Sequence, residues 1–463
     1  MGIGRNRTES ILGDPRRTLL SMALPMLLAI LVENLQTFVD GMWCSGLGTE
    51  ALSAISISSC IYTMIVALGT GMAVGASASI SKSIGAGDMR SAENAVPAII
   101  AIILGMSVLS SIAFWFLAEP IVHFIGQGQQ DIETCMEYIR PFLAMSFFLM
   151  MNSVWVGILR AEGASMICMG MSLMASGINI TLDPVLIYGL DMGLEGAAVA
   201  TCISYAAVTF VGFWYYLSGR TTVKMRFRGF RHDRKVIREM LSIGCPCSLE
   251  MFVAPLLMIP QNAIVFSCGG SNGMVAYTYA FKFIDMALIP ANAISKSLIP
   301  IISAEIGQKR PDKVLESCRI AYRTTLLVGF TCMAVILIAA DVLVELFMNS
   351  ESMEAVRDEM VLAMRIFSLT CVFHTFRLVG TAILQATRHA VLSSALTLSR
   401  ELMFLGTFYA ASMYSMEAIF WACDATNFTM MFIITVFAYR AVRELVREMD
   451  GKEMRLKSMI SIK

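Results

Sequence analysis

Asn179-Ile180-Thr181-Leu182-Asp183-Pro184 sets a carboxylate, an amide and a helix-bending proline in the middle of an otherwise apolar segment. Met166 to Met174 precede it and Val185 to Leu190 follow, so hydropathy marks the whole segment as membrane-spanning. A central Asp in such a span costs roughly 2.5–3.5 kcal/mol on the insertion scale, and an ionisable group retained there points to function. Asn179 and Asp183 are four residues apart and share a helix face, while Pro184 has no N–H to donate and weakens the ladder beside the carboxylate. Oxygen ligands and loosened carbonyls therefore gather in one place. Asp40, near the end of the first apolar segment after Pro25 and Glu33, is the obvious partner.

Working outward, the composition agrees. The chain is 57% hydrophobic and only 15% charged, with a mean hydropathy of +0.69, far from a soluble globular average. Apolar stretches long enough to cross a bilayer run near Leu19–Trp43, Leu52–Ile80, Ala92–Leu117, Ile132–Leu159, Met166–Tyr188 and Gly196–Leu217. After a basic segment, six more follow near Leu241–Phe266, Met274–Ile302, Ile320–Ala340, Val356–Leu384, Val391–Tyr409 and Met416–Ala438. About twelve transmembrane helices are expected, in an all-α integral membrane protein.

The connections test that count. Ser45–Ala51, Glu119–Asp131, Leu190–Glu195, Gly269–Gly273, Asp341–Glu354 and Ala411–Ser415 contain no Lys or Arg. The alternate loops hold nearly all of them: Lys82 and Arg90, Arg160, the run Arg220–Arg238, Lys309 to Arg319, Arg388, and Arg440 through Lys463. This alternation is the positive-inside pattern and places both termini in the cytoplasm. Arg140 and Arg357, toward the outer ends of the fourth and tenth spans, are the exceptions. Arg5, Arg7, Arg16 and Arg17 lead into a span of full length rather than a short signal-peptide core, so the N-terminus is expected to stay cytoplasmic.

The halves echo one another. Ser83-Ile84-Gly85 finds a counterpart in Glu305-Ile306-Gly307, Gly157-Ile158-Leu159-Arg160-Ala161 in Ala382-Ile383-Leu384-Gln385-Ala386, and Met192 through Ala197 in Tyr414 through Ile419. Six spans per half begin and end on one side of the membrane, which suits a parallel duplication. The expected organisation is an N-terminal six-helix lobe (1–218), a cytoplasmic basic linker (219–237) and a C-terminal six-helix lobe with a cytoplasmic tail (238–463). The pseudo-symmetric lobes are expected to face a central cavity, with Pro25, Pro246, Pro255 and Pro260 where bending would open or close it.

Other chemistries find little support. The 12 cysteines are scattered without a CxxC pair, and His123, His232, His374 and His389 are isolated, so neither a redox motif nor a zinc site is read. No nucleophile elbow, Walker loop or dinucleotide fingerprint occurs, which argues against an enzyme, an organic cofactor or a nucleic-acid partner. The small-residue stripe Gly71, Gly75, Ser79, Ser83 reads as a site of close helix packing. The 36 methionines suit either a pliable substrate cavity or ordinary bilayer-core packing.

Pro25 with Glu33 and Asp40, Gly46-Leu47-Gly48, Glu50 to Ala54, Ile84-Gly85-Ala86-Gly87-Asp88, Leu159 to Gly163, Asn179 through Pro184 and Gly193 through Thr201 together resemble the multidrug and toxic compound extrusion (MATE) transporters of the MOP superfamily. The order matches and the resemblance covers essentially the whole chain, densely in the first half and thinly in the second. It implies that Asp40, Asn179, Asp183 and Thr201 form the cation-coupling constellation of the DinF-like branch, able to take H⁺ or Na⁺. Glu33 and Glu250 are accessory candidates, and Pro25 and Pro184 the bending positions. In the C-terminal lobe the tenth span carries Arg365, His374 and Arg377 instead of the family's carboxylate, and Lys282 and Asp285 are spaced to neutralise each other.

Two facing carboxylates in a low-dielectric site cannot both stay ionised cheaply, so they act as a cation-coupled switch. The function expected is a secondary active antiporter in the cell membrane, exporting organic, often cationic, compounds in exchange for H⁺ or Na⁺, as a monomer in the lipid bilayer. A flippase for lipid-linked or polysaccharide precursors is the alternative within the superfamily, and a membrane-embedded hydrolase the alternative from another class. The charge pattern makes a first prediction: a cysteine placed at Gly229, in the basic run, escapes labelling by an impermeant thiol reagent applied outside intact cells. Labelling from outside would reverse the topology.

Overall fold

The computed structural model describes residues 13–125, 132–225, 234–347 and 356–460. Among these, the secondary structure is helical throughout, with no strand. Arg5, Arg7, residues 226–233 of the basic run and the outer-loop residues 126–131 and 348–355 lie outside the described residues.

The helices are α1 (Pro15–Ser45), α2 (Thr49–Gly85), α3 (Met89–Ile125), α4 (Ile132–Ala144), α5 (Ser146–Ala161), α6 (Ser165–Pro184), a π-helical turn (Val185–Gly189) and α7 (Gly193–Leu217). Then follow α8 (Arg234–Ala287), α9 (Ile289–Gly307), α10 (Pro311–Phe347), α11 (Arg357–Ala386), α12 (Ala390–Ser412) and α13 (Met416–Ile460). Nine pass a test of length and apolarity for crossing a membrane, and the pair α4 and α5, bent by 57° at Met145, makes a tenth span. Two more crossings complete the twelve. α8 has 54 residues, roughly 80 Å at the helical rise and far more than one bilayer needs. Gly270, at φ 59° and ψ −154°, breaks it in two. The outer connection expected over Gly269–Gly273 is thus a single non-helical residue, in a conformation that glycine adopts without a Cβ penalty. α12, a continuous helix whose apolar run is broken by the charges of Arg400 and Glu401, is the remaining span.

Large apolar side chains such as Leu109, Phe116, Leu327, Ile338 and Phe432 are exposed along these helices, as lipid-facing positions require. The arginines that break the charge alternation have acidic neighbours: Arg140 pairs with Glu133 at 2.9 Å and Arg357 with Glu345 at 2.9 Å. Arg365 likewise pairs with Asp341 at 2.8 Å. All 12 cysteines are free thiols, most of them buried.

The chain forms two compact units, one from Leu24 to Phe252 and the other joining Pro15–Ala23 to the residues from Val253 onward. α1 changes unit beside Pro25, and α8 changes unit at Phe252. Small residues hold the first unit together. A Cβ on Gly71 would stand 2.2 Å from the Ser248 backbone nitrogen, one on Gly75 2.3 Å from the Met240 carbonyl oxygen, and one on Gly157 2.5 Å from that of Ala73. α2 therefore touches α5 and the first turns of α8 backbone to backbone, the close approach that small residues permit in lipid. Ser248 Oγ donates to the Leu68 carbonyl at 2.9 Å, and Lys82 pairs with Glu239 at 2.7 Å along the same contact. At the end of α5, Glu162 is 1% exposed and accepts from the Tyr216 hydroxyl (2.6 Å) and the Thr222 N–H (2.9 Å), tying the chain after α7 to the α5–α6 turn.

Gly71→Ala forces a backbone shift where nothing can yield, and overpacking of this kind costs about 1–3 kcal/mol. Gly105→Ala, on α3 with nothing within 4 Å of its added Cβ, only gains helix propensity. Purified Gly71→Ala is expected to melt below the wild type and Gly105→Ala at or above it. Equal melting of the two variants would remove the packing argument.

Candidate functional site

Two helices of the first unit line up their polar residues at helical spacing. α1 contributes Glu33, Gln36 and Asp40, and α6 contributes Ser172, Ser176, Asn179 and Asp183, each series three or four residues apart and so on one face. They meet rung by rung. Ser172 Oγ donates to Glu33 Oε1 at 2.9 Å, Ser176 Oγ to Gln36 Oε1 at 2.7 Å, and Gln36 Nε2 to Asn179 Oδ1 at 2.7 Å. Asn179 then donates through Nδ2 to Asp183 Oδ1 at 3.3 Å and to Thr201 Oγ1 of α7 at 3.2 Å, while Thr201 donates to the Ala197 carbonyl at 3.2 Å. Asp40 stands beside Asp183 and Gln36.

Burial is deepest on α6: Asn179 is 0% and Asp183 1% exposed, while on α1 Gln36 is 7% exposed, Asp40 half-buried and Glu33 exposed. Asp40 Oδ1 and Asp183 Oδ2 are buried with no hydrogen-bond donor. An acceptor in that position costs about 1–3 kcal/mol, more when charged, unless something positive joins it. Two such oxygens on neighbouring carboxyls define a place for a proton or a cation.

The proline acts as its chemistry requires. Directly after Pro184 the helix widens into the π turn, in which the Leu190 N–H reaches the Val185 carbonyl at 2.8 Å. Single π turns of this kind occur often at functional sites. Tyr188, carried on the turn, donates to the Trp43 carbonyl at the end of α1. Gly46 leaves room for that ring, since a Cβ there would meet the Tyr188 hydroxyl at 2.3 Å. Gly196 makes the corresponding room at the start of α7, where a Cβ would lie 2.9 Å from the Leu186 carbonyl carbon. The glycines around the site thus let three helices close on it.

Asp40, Asp183, Asn179 and Thr201 are brought together, and Glu33 adjoins them through Ser172. Glu250 is placed elsewhere, 9% exposed on α8 and two residues beyond the Ser248 contact with α2. Pro25 is buried within α1. Gln36 is the residue that sequence reasoning missed, although its spacing to Glu33 and Asp40 was the available signal. Lys282 lies over the Tyr279 ring at 5.3 Å.

The architecture and site define a polytopic membrane protein with a buried two-carboxylate centre in one half. The MatE family model matches residues 25–185 and 246–411, one segment in each half, and the chain belongs to that family. Multidrug export protein MepA of Staphylococcus haemolyticus is 21% identical over 90% of this chain and 93% of its own. The FAD transporter of Shewanella oneidensis is 26% identical over 65% and 67%. A MOP superfamily transporter from Pyrococcus furiosus, described as having a binding pocket of reverse polarity, superposes with a TM-score of 0.90 at 26% identity, covering 95% of this chain and 98% of that one. An outward-facing multidrug resistance MATE transporter gives 0.88 at 25% identity over 95% and 98%. The chain is a MATE-type efflux transporter of many membrane spans.

Gln36→Leu leaves the Asn179 carbonyl without its donor and Ser176 without its acceptor, a loss of about 1–3 kcal/mol for a buried group. Ser176→Ala removes one partner and leaves the Gln36–Asn179 bond in place. The expected order of melting temperatures is wild type, then Ser176→Ala, then Gln36→Leu. A Gln36→Leu protein as stable as the wild type would show that the ladder does not hold the site.

Proposed function

We propose that this protein is a secondary active antiporter that exports organic, often cationic, compounds and is driven by a cation bound between Asp40 and Asp183, as in the DinF-like branch. The observation that carries the reading is the pair of buried carboxyl oxygens, Asp40 Oδ1 and Asp183 Oδ2, each without a donor on adjoining side chains. With the site charged, the conformations that expose it to the two sides of the membrane differ in energy. Binding one positive charge evens them out, and each charge moved across the membrane is worth about 2.3 kcal/mol per 100 mV. MepA, similar over 90% of this chain, is named for multidrug export, which supports the substrate class.

The orientation of Asn179 favours H⁺ over Na⁺. Its oxygen is taken by Gln36 and its NH₂ faces Asp183 and Thr201, so donors rather than oxygens surround the acid on that side. A proton needs only the two carboxyls. Na⁺ would require Asn179 to turn its oxygen inward and Gln36 to follow.

Asp183→Asn and Asp40→Asn are each expected to reduce fluorescent-cation efflux to the rate seen in uncoupled cells at matched membrane expression. The double variant should be no worse than either, because the two groups act as a unit. Thr201→Ala removes one neutral hydrogen bond, worth about 1 kcal/mol, and should slow efflux about fivefold. An uncoupler should stop wild-type efflux whether or not Na⁺ is present. Gradient-driven efflux that survives in either Asp→Asn variant would place coupling elsewhere.

A further inference from the structure

The second unit contains a buried carboxyl that the coupling site does not use. Asp424 on α13 is 3% exposed, and Thr370 on α11 donates its hydroxyl to Asp424 Oδ1. Asn427, three residues farther along the same face of α13 and 2% exposed, donates through Nδ2 to Thr370 Oγ1 at 3.4 Å. Two acceptors remain. Asp424 Oδ2 and Asn427 Oδ1 are both buried with no hydrogen-bond partner.

We propose that Asp424, held by Thr370 and Asn427, is a second proton-binding site, located in the C-terminal unit and independent of the Asp40–Asp183 pair. A proton on Oδ2 changes an acceptor without a donor into a donor, and directs it along the helix face that Asn427 Oδ1 shares. One occupant thereby answers both deficits. A metal cation is a poorer fit, because the Thr370 oxygen already accepts from Asn427 while its hydrogen goes to the acid. The neighbouring basic groups do not form a salt bridge with this carboxyl. Arg400 on α12 is paired with Glu401, and Arg377 on α11 contacts His374 at 2.6 Å. The thiols of Cys371 on α11 and Cys423 on α13 also feel the Asp424 charge, and neither supplies a positive one.

Infrared difference spectra of the purified protein, recorded between alkaline and acidic pH, read protonated carboxyls directly through their carbonyl stretch. The wild type is expected to show a band that persists in Asp40→Asn and Asp183→Asn and is lost in Asp424→Asn. Thr370→Val keeps the carboxyl and removes the hydrogen bond to it, so the same band should shift there, which covers the case in which Asp424→Asn fails to fold. An unchanged band set in Asp424→Asn, or an unshifted one in Thr370→Val, overturns the assignment. Disappearance of the band on adding Na⁺ at fixed pH would do so as well, by showing a metal cation as the occupant. The measurement uses no transport, so its outcome is separate from that of the antiporter reading.

Discussion

Asn179 is the side chain on which the first unit's chemistry depends. Fully buried, it uses its oxygen for Gln36 of α1 and both directions of its NH₂ for Asp183 of α6 and Thr201 of α7. Three helices are thereby fixed in register by one amide. In a medium without water an unmet polar group costs several kcal/mol, so each helix has to present its partner at the right height. The serines of α6 and the acids and amide of α1 continue the same constraint along the helices. Within this ladder what remains unmet is Asp40 Oδ1 and Asp183 Oδ2, where an exchangeable positive charge can serve.

That register needs close backbones, and the glycines supply them. α2 can lie against α5 and α8 because Gly71, Gly75 and Gly157 have no Cβ, and the π turn after Pro184 can meet α1 and α7 because Gly46 and Gly196 have none. Lipid offers no hydrophobic drive for helices to associate, so shape and hydrogen bonds must do it. The sequence motifs around Gly46 and Gly193 to Thr201 are thus packing features that hold a polar centre.

The twelve crossings were legible because two signals unrelated to each other, apolar length and loop charge, agree along most of the chain. The exceptions, Arg140 and Arg357, have local acids as partners, Glu133 about 10 Å away along the same helix and Glu345 on a neighbouring one, which no loop count can anticipate. Asp40, Asn179, Asp183 and Thr201 were legible because polar residues in an apolar span stand out and recur in a known order. Gln36 was overlooked although its spacing was visible, because an uncharged amide draws less notice than a carboxylate. The Gly269–Gly273 stretch read as a loop from composition, yet one glycine with positive φ was enough to turn the chain.

Asp424 was hidden for a different reason. Its neighbours in sequence, Cys423 and Ala425, are apolar or nearly so, and its hydrogen-bond partner Thr370 lies on another helix. Asp183 comes with a proline that loosens its helix and an amide one turn earlier, whereas Asp424 sits in an unbroken α-helix with its amide three residues later. The two settings differ in what they allow. Beside the π turn the backbone can adjust when the charge on Asp183 changes. In α13 the backbone is fixed, so a change of charge at Asp424 has to be met by Thr370 and Asn427 alone. A neutral acid meets that condition most simply, since it needs one acceptor in place of two donors.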